Sequence, residues 1–204
     1  MKPHEIKGQC VAKRAFEVAA AGDLRVLLVG PLAVGKTTLR EAFRNVTACE
    51  IETCACGHYS DPKQQCACSE RQILRWYRRL ERIARDYDIV VEVCAVPVRE
   101  LMARTGSTER DDECMRARIA AAREFGRSNQ SLALTDDAAI RTMEMAARRL
   151  GLSAGQYNHV LRTARAIANL DQSPTLKAKH VAEAVRYRAD AYLYRLDRII
   201  SPAA

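Results

Sequence analysis

Residues 23–40, DLRVLLVGPLAVGKTTLR, constrain the fold more than any other stretch of the chain. Leu24 to Val29 is a short run dominated by Leu and Val, the pattern of a strand buried on both faces. It leads directly into Gly30-Pro31-Leu32-Ala33-Val34-Gly35-Lys36-Thr37, which satisfies G-x-x-x-x-G-K-[ST] at every fixed position, and Thr38 to Phe43 continues as a helix. A strand, a glycine-bounded loop and a helix in this order form a phosphate cradle, or P-loop. Backbone N–H groups and the helix N-terminus face the anion, Lys36 reaches the β/γ oxygens of a nucleotide, and the Thr37 hydroxyl ligates Mg²⁺. The predicted nucleotide site is therefore Gly30, Pro31, Leu32, Ala33, Val34, Gly35, Lys36, Thr37 and Thr38, with ATP and Mg²⁺ as its occupants.

The rest of the chain supports a small α/β unit followed by helices. Gln9 to Ala21 is predicted as a helix with Val11, Ala15, Val18 and Ala19 on one face. In Ala48 to Thr53, Cys49 and Ile51 alternate with Glu50 and Glu52, which suits an edge strand better than a central one. Ser69-Glu70-Arg71-Gln72 is a capping-box pattern opening a helix to about Arg85, and Asp88 to Val93 is a third strand. Beyond Pro97 only helical patterns remain. Their stripes are Met115, Ile119 and Ala122; then Ile140, Met143, Ala147 and Leu150; then Tyr157, Val160, Leu161, Ala164 and Ile167; and last Val181, Val185, Ala189, Tyr192 and Leu196. Arg127 to Gln130 is expected to be a loop.

Eight cysteines with a P-loop and no apolar core in MKPHEIKGQC point to a reducing, cytoplasmic setting. No stretch approaches the roughly 18 apolar residues of a membrane span. Cys54, Cys56, Cys66 and Cys68 form C-x-C-x₉-C-x-C around a polar loop. Four soft thiolates suit a tetrahedral structural Zn²⁺, while free thiols and disulfides are the competing readings; His58 is either a substitute ligand or an exposed loop residue. Cys10, Cys49, Cys94 and Cys114 are scattered. The net charge of +8 suits polyanionic partners or merely solvated helix faces. Arg71, Arg75, Arg78, Arg79, Arg82 and Arg85, beside Trp76 and Tyr77, offer the same choice locally: a phosphate-tracking, base-stacking surface for DNA, or a solvated face with an aromatic turned inward.

Several blocks in order carry a family resemblance. They are Ile6-Lys7-Gly8-Gln9, the P-loop, Cys54-Ala-Cys56-Gly57, Asp61-Pro62, Cys66-Ala-Cys68, Asp88 to Pro97, Gly151-Leu152-Ser153, Tyr157, Arg165 and His180 to Ala184 with Tyr187-Arg188. Together they resemble the AAA+ module of magnesium-chelatase-like proteins, in the ComM/YifB competence-associated branch. The resemblance implies a reduced P-loop NTPase (AAA+) parallel sheet over residues 1–96, with the Cys-rich insert at 54–68, and an all-helical lid over 97–204. It also implies what has gone. About a hundred family residues between the P-loop helix and the cysteine insert, with two strands and the Walker B acidic pair, have no counterpart here. The sensor-1 asparagine falls on Glu52, the sensor-2 arginine on Gly155, and the candidate arginine finger is displaced to Arg85. Ala33 replaces the usual glycine of the family's loop.

ATP binding with little or no autonomous hydrolysis is the leading expectation, in a chain that regulates or joins an intact AAA+ relative. A zinc-stabilised nucleic-acid-binding or interaction module with a vestigial P-loop, and a non-functional internal-deletion remnant, are the alternatives. With its neighbour strand missing, Ala48 to Thr53 is expected at a sheet edge. Glu50 and Glu52 there either guard the edge, are incidental, or replace Walker B.

Overall fold

The computed structural model describes residues 2–44, 47–102, 108–131 and 133–188. A 3-10 turn at Pro3–Glu5 precedes α1 (Cys10–Gly22), β1 (Val26–Val29), α2 (Lys36–Phe43), β2 (Cys49–Glu52), α3 (Glu70–Ala84), β3 (Ile89–Glu92), α4 (Val98–Met102), α5 (Glu109–Ser128), α6 (Asp137–Leu150), α7 (Ala154–Leu170) and α8 (Ala178–Arg186). The three strands form one parallel sheet in the order β2-β1-β3. β1 is buried along its whole length, and β2 lies at an edge, as the alternating pattern requires. Fold class and chain order agree with the reduced α/β P-loop architecture expected from sequence.

Side-chain alternation divides the sheet between two cores. Val26 and Leu28, with Ile89, Val91, Val93, Cys49 and Ile51, face the core shared with α1, α2 and the C-terminal helices. Leu27, Val29 and Val90 face a smaller core closed by Trp76, Leu80 and Ala84 of α3. Those three positions fall at i, i+4 and i+8, one stripe of a helix whose arginines point away. α7 packs against α1, α5 and α8, and α6 packs on α8.

Local signals read from sequence are realised at the helix ends. Ser69 and Gln72 exchange capping bonds at the start of α3 (3.4 and 2.8 Å), as do Ser153 and Gln156 at α7 (3.3 and 2.7 Å). Gly151 ends α6 at φ 62°, the left-handed region that glycine enters without strain. Two expectations change. Val11 is exposed, and Ala12 and Phe16 take the buried face, because Phe16 stacks on Phe43 of α2 at 4.4 Å. α5 continues through Arg127 and Ser128, since Asn129 closes the helix through its N–H to Gly126 and its side-chain amide to Phe125. Ala189, Tyr192 and Leu196 lie outside the described residues.

The C-terminal helices are pinned to the sheet at one buried carboxylate. Asp88, just before β3, accepts from the Arg25 N–H (3.1 Å) and contacts His159 Nδ1 (2.7 Å) and Arg162 (2.9 Å) of α7. His159 Nε2 lies 3.0 Å from the Arg85 carbonyl. Hydrogen bonds from His159 and Arg25 keep the Asp88 carboxyl below its ordinary range despite burial.

Candidate functional site

The loop from Gly30 to Gly35 joins the C-terminal end of the central strand to the N-terminus of α2. Gly30 has φ 146°, and a side chain there would collide with the Val93 carbonyl. Gly35 has φ 95° and caps α2, in whose first turn the N–H groups of Lys36, Thr37 and Thr38 precede the first helical hydrogen bond, from Leu39 N–H to the Gly35 carbonyl at 2.9 Å. Ala33 adopts φ 59°, a left-handed conformation that costs an L-residue about 1–2 kcal/mol. The alanine thus reproduces the backbone of a glycine at the expense of local strain. Lys36 is 5% exposed, and its Nζ donates to the Gly30 carbonyl at 2.8 Å and to the Pro31 carbonyl. Burial lowers its pKa, opposed by the nearby Cys54 sulfur. Thr37 stands exposed on the first turn of α2.

The four clustered cysteines come together beside this loop. Their sulfurs all lie within 4.8 Å of one another, with Cys54–Cys56 at 3.6 Å, Cys56–Cys66 at 3.4 Å and Cys54–Cys66 at 4.0 Å. The edge of a tetrahedron with metal–sulfur bonds of about 2.3 Å is roughly 3.8 Å, so the cluster already has the size of a Zn²⁺ tetrathiolate. All eight cysteines are free thiols in this structure. The His58 N–H draws the Cys56 thiol down to about 6, while burial pushes Cys66 up to about 12 and raises Cys68. The Cys56 and Tyr59 N–H groups donate to the sulfurs of Cys68 and Cys54 (3.3 and 3.2 Å), the outer contacts that stabilise thiolate ligands. His58 is half-buried with Nδ1 3.6 Å from Asp61, and it is not part of the sulfur cluster. Cys10, Cys94 and Cys114 are exposed and Cys49 is half-buried, all outside the cluster.

One connection between the two sites has no precursor in the sequence reading. The Leu32 N–H in the phosphate loop donates to the Gly57 carbonyl at 2.7 Å. Gly57 lies at φ 83° against Leu32, with no room for a side chain unless Leu32 moves. The Gly30 N–H is held in turn by the Glu52 carbonyl at 3.3 Å, two residues before Cys54. Pro31 has no N–H, so both donors at the entry of the loop that exist are fixed by the segment carrying the cysteines. A glycine directly after C-x-C was the available signal.

The acidic and basic candidates separate clearly. Glu52 is 8% exposed, and Arg79 of α3 holds its carboxylate at 3.1 Å; Glu50 is exposed. Glu52 is therefore an internal ion-pair partner, and Glu50 alone presents a charge at the β2 edge. Arg71, Arg75, Arg78, Arg79, Arg82 and Arg85 are all exposed along α3. Trp76 is 7% exposed, packs against Tyr59 at 5.3 Å, and is withdrawn from any base-stacking role. Among the described residues, no helix is long and apolar enough to cross a membrane.

Comparison with known proteins agrees with this layout. The family model for the magnesium chelatase subunit ChlI matches residues 3–50 and 43–101, and that for the ChlI C-terminal region matches residues 101–188. The first model matches in two stretches that overlap over residues 43–50, from the end of α2 into β2. The chain is 31% identical over 160 residues to the uncharacterized protein YifB of Escherichia coli strain K12, covering 71% of this chain and 31% of that protein. It is 30% identical over 148 residues to the competence protein ComM of Haemophilus influenzae, covering 65% and 28%. The chain thus spans under a third of the length of these relatives. With matches running from residue 3 to residue 188, the chain belongs to the magnesium chelatase family, in the branch that holds YifB and ComM.

Proposed function

We propose that the chain binds Mg²⁺·ATP at residues 30–38 and retains it without robust hydrolysis, with a structural Zn²⁺ on Cys54, Cys56, Cys66 and Cys68. The observation that carries the binding claim is Lys36, a buried ammonium on loop carbonyls at the N-terminus of α2. Phosphate oxygens are stronger partners for this charge than the Gly30 and Pro31 carbonyls, so an entering nucleotide draws Lys36 onto its β/γ groups. The N–H groups of the α2 first turn and its dipole add to the attraction. Thr37 supplies the hydroxyl for Mg²⁺. Zn²⁺, when bound, fixes the loop over residues 54–68 and with it the carbonyl that steadies Leu32.

Hydrolysis asks for groups that this chain lacks by comparison with its family pattern. Walker B, the sensor-1 asparagine and the sensor-2 arginine have no equivalents, and Glu52 is engaged by Arg79. Loss of an arginine finger alone costs about 10³ to 10⁵ in rate. The outer edge of β2 is where a fuller sheet would continue, which favours a partner of the same family as the source of missing parts. A second reading, nucleic-acid contact along α3, rests on its five exposed arginines and Arg85 at its C-cap; it predicts salt-sensitive binding that survives Lys36→Ala.

Titration calorimetry with Mg²⁺·ATP tests the binding claim. A one-to-one complex is expected, and Lys36→Ala is expected to weaken it about 30- to 150-fold, the worth of a charge-assisted contact of roughly 2–3 kcal/mol. Equal affinity in the two proteins overturns the assignment.

A further inference from the structure

Arg165 is unexplained by the phosphate loop. It sits on α7 at 5% exposure, in a stretch where Ala164, Ala166 and Ile167 are also buried. Its Nε donates to Asn169 Oδ1 at 2.9 Å, and its terminal nitrogens donate to the carbonyls of Pro174 (3.0 Å) and Ser173. These acceptors satisfy hydrogens without neutralising charge. Among the described residues no carboxylate pairs with it. Buried charges are ordinarily paired, because desolvation is otherwise uncompensated. Burial lowers the Arg165 pKa, with no carboxylate acting in the other direction.

Arg165 lines a cleft of about 680 Å³ together with Arg123 and Arg127 of α5 and Arg162 of α7. Asp23 is the one acidic residue in that lining. The other three arginines each commit part of a five-donor fork: Arg123 Nε to the Ala20 carbonyl (2.8 Å), Arg162 to Asp88 (2.9 Å) and Arg127 to Glu124. Leu24 and Ala166 give the cleft an apolar wall. Its volume falls in the range of small-molecule sites, about 300–1,000 Å³. The cleft adjoins Asp23 and Leu24, at the opposite end of β1 from Gly30. The six extended residues from Leu24 to Val29 put it roughly 20 Å from the phosphate loop.

We propose that this cleft is a second anion site, one that binds a small phosphorylated ligand. The phosphates lie on Arg123, Arg162 and Arg165, whose planar forks match phosphate oxygens in pairs, and the organic portion lies against Leu24 and Ala166. The ligand supplies the negative charge that Arg165 lacks.

Inorganic pyrophosphate is the probe, titrated at fixed ionic strength into the full chain carrying Lys36→Ala, which removes the P-loop contribution. Saturable one-site binding is expected, weakened at least tenfold by adding Arg123→Gln and Arg162→Gln. No saturable binding in Lys36→Ala overturns the proposal, as does unchanged affinity in the arginine variant. If that variant fails to fold, the arginine Nε–H NMR spectrum of Lys36→Ala decides. Pyrophosphate is expected to move the Arg123 and Arg165 resonances together, and unmoved resonances overturn the site.

Discussion

Replacing Cys54 and Cys66 together by serine is expected to lower the melting temperature by about 8–16 °C and to weaken ATP binding about tenfold. The first effect follows from the cluster. Cys54 is buried against Trp76 and Tyr59 in the smaller core, and the loop over residues 54–68 has no helix or strand of its own. Its order rests on the four sulfurs, and structural zinc sites contribute folding energy outright. A loss of about 4 kcal/mol converts to that temperature shift for a chain of this size. The second effect follows from the Gly57 carbonyl, which holds the Leu32 N–H at 2.7 Å. Freed from the cluster, that carbonyl no longer positions the entry of the phosphate loop. Thermal melting and ATP titration of the variant, beside wild-type protein with its zinc content measured, check both. Unchanged melting and unchanged affinity would contradict the zinc assignment and the coupling.

Asp88→Ala is expected to cost about 3 kcal/mol and to lower the melting temperature by roughly 6–12 °C. The carboxylate is almost wholly buried and serves three groups, the Arg25 N–H, His159 and Arg162. Removing it leaves the Arg25 amide and Nδ1 of the half-buried His159 without their acceptor, at about 1–3 kcal/mol for each such loss. Arg162 is about half exposed and adds little, because water replaces its partner. Asp88→Asn retains an acceptor of the same shape and is expected to fall between. Denaturant unfolding of the two variants measures the difference, and an Asp88→Ala cost under about 1 kcal/mol would deny this junction its role.

Much of this arrangement was legible in the sequence because it rests on local rules. The run from Leu24 to Thr37 specifies strand, turn and helix by residue type alone. Ser69 and Ser153 announce their helices through side-chain bonds that span three residues. The glutamates of Cys49 to Glu52 mark an edge strand by alternation, and the sheet order β2-β1-β3 places it there. The C-x-C pairs bring their sulfurs together because each pair is short and the loop between them closes easily.

What sequence did not disclose depends on contacts between distant segments. Val11 has the right spacing for the buried face of α1, but Phe16 and Phe43 stack and rotate that face away from it. Glu52 reads as an exposed edge guard until Arg79, 27 residues later, folds over it. Gly57 and Leu32 are 25 positions apart and meet only because the cysteine loop returns over the strand ends. Arg165 belongs to the family resemblance in the sequence, but nothing there marks it as buried. Its burial appears only once α5, α7 and the turn at Ser173 and Pro174 enclose it.

The chain is proposed to hold ATP with little or no hydrolysis of its own. A single-turnover experiment tests it most directly: protein in excess over Mg²⁺·ATP, with phosphate release followed over an hour. Bound, intact nucleotide is expected, with phosphate release no faster than in Lys36→Ala. Phosphate release above about 10⁻⁴ s⁻¹, approaching the roughly 3–5 × 10⁻⁴ s⁻¹ of an unassisted but competent P-loop GTPase, and abolished by Lys36→Ala, would contradict it.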